Sequence, residues 1–215
     1  MQAVTHQFLP KDLIAGHIAL DFINTVTARD STPLDWLDGY ARLIEWATLA
    51  GLVDSRIAAK LRAQTEDSPR EAGAALTRIR RVREALHDAC VALLAKHAAP
   101  TAALDEIGAA WKRAASRSKW VSSDGRLQFE TDRATSGLDL PLDLVVFAAV
   151  DLLGELDSHR TRVCRGHDCG WLFIDSSKSG RRVVFFVFLC FSRSSRIGQR
   201  LEHASSHLPE STRPR

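Results

Sequence analysis

The sequence predicts an α+β protein: a mostly helical N-terminal domain with a small β-hairpin, then a small, basic, cysteine-bearing C-terminal module. Three observations predict it. Several segments of residues 1–157 carry apolar side chains at helical spacing behind helix-start signals. One stretch alternates around a Ser-Ser-Asp-Gly turn. The composition then changes near 158–163, which divides the chain into 1–157 and 158–215.

Residues 16–25 alternate apolar and polar positions and read as a short strand or an extended lead-in. Thr32-Pro33-Leu34-Asp35 resembles a helix start, with Pro at the first helical position. Leu37, Tyr40, Leu43, Ile44 and Ala47 continue that helix, and Gly51 stops it. A shorter helix follows over 55–64. Ser68-Pro69-Arg70-Glu71 is a second start of the same kind. Behind it, Ala75, Ile79, Val82, Leu86, Ala89, Cys90 and Leu93 mark one apolar stripe of a helix running to about 97. Arg78, Arg80, Arg81 and Arg83, interrupted by Glu84, are read as its solvated face.

Thr101 opens a further helix with Leu104, Ile107 and Trp111 directed inward. Trp120-Val121 and Leu127 to Glu130 flank the hairpin turn, and 141–156 returns to an almost wholly apolar helix. The longest apolar run, 183–191, is nine residues and too short to span a bilayer. With no secretory pattern at the N-terminus, the expected location is cytoplasmic, with no membrane partner.

Charge is uneven. Residues 158–215 hold eleven Lys/Arg against four Asp/Glu, net +7; the first 157 hold 18 basic and 22 acidic groups, net −4. A basic end on an acidic body is the footprint expected where one end meets a polyanion, and a solvated tail gives the same balance. Of the four cysteines, Cys90 lies in a helical stripe and reads as a small buried hydrophobe. Cys164-Arg-Gly-His-Asp-Cys169 is the sharpest local feature. Two thiolates separated by four residues, with Gly166 and Gly170 to turn the chain, can grip one zinc ion. Cys190 offers a doubtful third ligand. His203 and His207 complete a four-ligand set only if the Ser/Pro-rich tail around them were helical. Trp171 to Ile174 reads as a strand after the knuckle. Lys178, Arg181, Arg182, Arg193, Arg196 and Arg200 are the cations placed to meet phosphate.

Residues 16–25, Arg80-Arg-Val-Arg-Glu-Ala-Leu86 and Cys164-x4-Cys169-Gly-Trp-Leu-Phe-Ile-Asp175-Ser-Ser together resemble the CGNR zinc finger proteins, which carry an N-terminal ABATE domain. The resemblance covers about 16–182. It implies a bacterial-type, stress-linked transcription regulator with a mixed, mostly helical N-domain. It also implies a zinc-ribbon or treble-clef-like C-terminal module that binds zinc and contacts DNA. After Arg182 the pattern departs from the family's, which continues with a second cysteine pair. Here Val183 to Phe191 stands instead, and the two expected ligand positions fall near Val184 and Leu189. A reading-frame change or a diverged tail would produce such a break. Two thiolates alone rarely hold zinc, and a small module without its metal is expected to lose most of its folding energy.

The function expected is therefore a DNA-binding regulator whose N-domain senses a small-molecule effector or binds a partner, a second copy in a homodimer among the expected partners. No nucleophile–base pair or phosphate loop occurs, so no enzymatic activity is expected. A second reading is a small-molecule-binding or dimerising helical protein with a vestigial tail. In it Asp21, Asn24 and Arg29 would line a ligand pocket, although Asp and Asn also serve as turn and capping residues.

Overall fold

A computed structural model describes residues 1–166 and 168–177. The elements are β1 (Gln2–Ala3), α1 (Ile18–Ile23), β2 (Val26–Thr27), β3 (Leu34–Asp35), α2 (Tyr40–Leu49), α3 (Ser55–Asp67), α4 (Pro69–Leu94), α5 (Thr101–Ser116), β4 (Ser118–Ser123), β5 (Arg126–Thr131), α6 (Leu140–Gly154), β6 (Thr161–Val163) and β7 (Leu172–Ile174). The expected α+β class holds: helices form the mass, and three small sheets sit at the edges. No helix among the described residues is long and apolar enough to cross a membrane.

The long α4 and the apolar α6 carry the core. Ala75, Ile79, Val82, Leu86, Ala89 and Cys90 of α4 are buried as the stripe predicts, whereas Leu93 is only partly so. Leu142, Val145, Val146 and Ala149 of α6 are buried too. Burial pushes the Cys90 thiol up to about 12, so it behaves as a hydrophobe and not as a nucleophile. In α5 the inward set is Ala103, Ile107, Ala110 and Ala114. Ile107 is buried as expected, whereas Leu104 and Trp111 are exposed and alanines take their place on the inward face.

Two expectations fail at the N-terminus. Residues 18–23 form a helix, not a strand. His17 caps it by accepting the Ala19 N–H through Nδ1 at 3.2 Å. Ala19 through Ile23 are all buried, so the helix has no polar face and therefore no helical signature in sequence. The Thr32-Pro33 signal likewise misleads. Leu34–Asp35 is the central strand of a three-stranded sheet, parallel to β1 and antiparallel to β2, and α2 starts only at Tyr40. At α4 the helix begins at Pro69 as expected, but the Ser68 side chain makes no capping bond. Ser68 also ends α3, its N–H bonded to the Gln64 carbonyl, and one residue cannot satisfy both geometries.

The solvated reading of the α4 arginines is corrected most sharply at Arg83. Its side chain is fully buried, and its guanidinium clasps Asp35 through Nη1–Oδ1 and Nη2–Oδ2, both 2.8 Å. Nη1 also donates to the Thr25 hydroxyl at 2.9 Å, and Nε to Glu84 at 2.9 Å. Arg80 adds an Nε–Oδ2 contact of 3.0 Å to the same carboxylate. Burial pushes the Asp35 carboxyl up, but hydrogen bonds and charge from Arg83 outweigh it and hold the group below its ordinary value.

Removing one partner of a buried, bidentate pair leaves an unanswered charge, at a cost of about 3–5 kcal/mol. Arg83→Met and Asp35→Ala should each lower urea stability by that order. The double variant should lose clearly less than the two losses added, because neither charge is then stranded. Additive losses in a double-mutant cycle would show the pair to be uncoupled.

Candidate functional site

The two cysteines of the predicted knuckle are brought together on one short hairpin. β6 and β7 pair antiparallel, with Val163 opposite Leu172, and the loop between them runs from Cys164 to Trp171. The Cys164 N–H donates to the Trp171 carbonyl at 2.7 Å, and the Cys169 N–H to the Gly166 carbonyl at 3.1 Å. The Gly166 N–H points at Cys164 Sγ, 3.4 Å away.

This loop is seated on the helical body rather than projecting from it. Asn24, just beyond α1, reads the β7 backbone at Leu172 in both directions: Nδ2 donates to the carbonyl at 2.8 Å and Oδ1 accepts the N–H at 2.9 Å. The Ile174 N–H donates to the Ala15 carbonyl at 2.7 Å. Trp171 packs edge-on against Trp36 with ring centres 5.5 Å apart, and Trp36 stacks on His6 at 3.8 Å. Gly170, at φ +66°, lies so close to Arg29 that a Cβ there would meet the Arg29 Cβ at 2.8 Å. Arg29 in turn bonds Glu84 of α4 at 2.6 Å and the Ile23 carbonyl at 3.1 Å.

Both cysteines are therefore sealed at 3% exposure, and with Trp171, Leu172 and Phe173 they belong to the main hydrophobic core. The first part of the expected C-terminal module, up to β7, thus packs into the same core as the helical domain. Among the described residues, no group of three or more His, Cys, Asp or Glu is placed to hold a metal ion. The donor set found is two thiolates, half of what tetrahedral zinc takes, so the described residues do not by themselves fit the ion. Cys190, Lys178, Arg181, Arg182, Arg193, Arg196 and Arg200 all lie outside the described residues, as do His203 and His207.

Asp21, Asn24 and Arg29 engage the protein itself. Asp21 Oδ1 accepts the Ala15 N–H at 2.9 Å, and Asn24 and Arg29 make the contacts just given. A cavity of about 460 Å3 opens elsewhere, lined by Gln64, Ser68, Glu71, Arg78 and Asp139 among others, with Arg78 and Asp139 ion-paired at 2.9 Å. Sequence reasoning also passed over Arg160, Arg162 and Arg165. All three are exposed, on or beside β6 at the edge of the knuckle. The signal was available, since alternate positions of a short strand next to buried cysteines face solvent.

The geometry defines a helix-rich α+β protein with two cysteines of a β-hairpin loop buried in its core and exposed arginines beside them. Residues 16–155 match the ABATE family model, described as "Putative stress-induced transcription regulator", and residues 160–183 match the CGNR zinc finger. The first match spans well over half of the chain, which belongs to the ABATE family. The zinc-finger match ends at 183, where the cysteine pattern breaks off. No curated protein matches the chain.

Two measurements probe this seat. Replacing Asn24 by Ala strands the Leu172 N–H and carbonyl in the core and should free the knuckle to open. The reaction of Cys164 and Cys169 with a thiol reagent, slow in the wild type, should accelerate on the order of tenfold. Unchanged rates would mean that Asn24 is dispensable. Asp21 governs pH dependence. Burial outweighs the Ala15 and Ile14 backbone donors and pushes its carboxyl up to about 6, from 3.8. Between those values the folded chain holds a proton that the unfolded chain has released, so this group destabilises as pH rises through the window. His17 and His87, lowered chiefly by burial, act oppositely as pH falls below about 6.5. Relative to Asp21→Asn, the wild type should therefore gain on the order of 2 kcal/mol between pH 7 and pH 4. Parallel stability curves for the two proteins would refute the assignment.

Proposed function

We propose that this chain is a DNA-binding transcription regulator whose knuckle segment meets the duplex and whose helical domain senses a small molecule or a partner. The observation that carries the reading is the clustering of Arg160, Arg162 and Arg165, three exposed arginines within six residues on and beside β6 of the knuckle hairpin. The net +7 of residues 158–215 supports it, and so does the regulator description of the family. Guanidiniums on a fixed backbone suit phosphate oxygens, which set register on a duplex without reading sequence. The 460 Å3 cavity supports the sensory half of the reading. Zinc is part of the family's description, but the proposed contact runs through arginine and not through the ion. The reading assigns the protein no catalytic step.

Fluorescence anisotropy of the full chain with a labelled duplex tests it. Affinity should fall at least about tenfold from 50 to 300 mM salt, because phosphate contacts release counterions. Replacing Arg160, Arg162 and Arg165 together by Ser should flatten the slope of log affinity against log salt by roughly 2–3. Binding that ignores salt, or a slope unmoved by the triple variant, would overturn the reading.

A further inference from the structure

Five of the nine exposed large hydrophobic residues among the described residues gather on α5 and the β4–β5 hairpin. Trp120 and Leu127 are 68% and 71% exposed, and Phe129, Trp111 and Leu104 are 39–49% exposed. Trp120 meets Phe129 at 5.0 Å between ring centres, Phe129 meets Phe147 of α6 at 5.6 Å, and Phe147 meets Trp111 of α5 at 6.2 Å. Leu104 lies two turns before Trp111 on the same side of α5. Apolar faces of this kind are uncommon on monomers and mark interaction sites.

The hairpin that carries this face is also short of partners. β4 and β5 pair only with each other among the described residues, and 126–130 are exposed throughout. The turn between them is the two-residue Asp124-Gly125, both at positive φ (50° and 72°), with Ser123 opposite Arg126. In such a turn the flanking pair exchanges hydrogen bonds and the next pair does not. Leu127 and Phe129 therefore turn their N–H and C=O groups outward, to the open edge of β5. Their side chains share one face of the hairpin with Trp120, and Arg126, Gln128 and Glu130 share the other.

We propose that β5 pairs antiparallel with β5 of a second copy of this chain, about a two-fold axis through Gln128. That register places the outward-facing Leu127 of one copy against Phe129 of the other, so that four backbone hydrogen bonds close a four-stranded sheet. On the opposite face it sets Arg126 of each copy across from Glu130 of the other, giving two ion pairs. Lys119, already opposite Glu130 within its own hairpin, adds to them. A slip by two residues to an axis at Phe129 would instead set Gln128 against Glu130 and lose this complementarity. The contact is isologous and closes on itself, and it leaves β4 as a short edge. The apolar faces of the two hairpins become continuous, with Leu127 of each copy beside Phe129 of the other. The proposal stands apart from DNA binding, since it concerns the free protein.

Sedimentation of the full chain without DNA tests it. The wild type should be a dimer at micromolar concentration. Arg126→Glu and Glu130→Arg should each weaken it at least about tenfold by setting like charges across the axis, and the double exchange should restore it. Gln128→Cys, opposite its own copy on the axis, should form a covalent dimer under mild oxidation, and Ser122→Cys on β4 should not. Helical circular dichroism of each variant confirms the fold. A monomeric wild type, a dimer indifferent to both charge reversals, or equal cross-linking of the two cysteine variants would overturn the proposal.

Discussion

An arginine sealed inside a helical body must have its charge answered on the spot, and Arg83 is answered by Asp35. Much of the N-terminal architecture follows from that requirement. The sheet of β1, β2 and β3 contributes only two residues per strand, too few to hold together alone. Asp35 sits in its central strand, so the guanidinium of Arg83 pins the sheet to α4, and the Thr25 hydroxyl ties in the turn before β2. A buried ion pair adds little net stability over a well-packed apolar pair. Its service here is to fix which strand residue faces which turn of helix.

The constraint propagates one residue further along α4. Glu84 accepts Arg83 on one side and Arg29 on the other, and the stem of Arg29 lies against Gly170. Burial raises the Glu84 carboxyl, but hydrogen bonding and charge from Arg29, joined by Arg83, bring it below its ordinary value, so it stays ionised. Two successive residues of one helix thus reach the N-terminal sheet and the cysteine knuckle. Any change in α4 that tilts these side chains is felt at both. A second bidentate pair, Arg117 with Asp143 at 2.5 and 2.8 Å, does the same between the end of α5 and α6, next to the hairpin.

Elements set by local periodicity were legible in the sequence, and elements set by tertiary demand were not. The α4 stripe, the apolar α6, the Asp-Gly hairpin and the strand after the knuckle follow from spacing and turn chemistry. The helix at 18–23 was hidden because it is buried nearly all round. The strand at 34–35 was hidden because its one essential residue answers an arginine 48 positions away. Arg83 itself was readable in part: it falls four after Ile79 and three before Leu86, inside the stripe and not opposite it. Counting arginines as a solvated face ignored that spacing. Asn24 was picked out as a candidate pocket residue, and in the structure its amide instead holds a backbone 148 residues distant.

The knuckle is tied to the helical body by burial and by backbone hydrogen bonds. A small cysteine module ordinarily draws its folding energy from zinc, which needs four ligands. Here Trp171, Leu172 and Phe173 are 0–6% exposed in the same core as α1 and α4. At about 1.5–3 kcal/mol for each fully buried large side chain, their burial is of the order that holds a hairpin in place. The bonds from Asn24 and Ala15 fix the hairpin's register. All of these groups precede residue 178, so the seat is complete before the cysteine pattern breaks off. The arginines at 160, 162 and 165 lie exposed on and beside β6 of that hairpin.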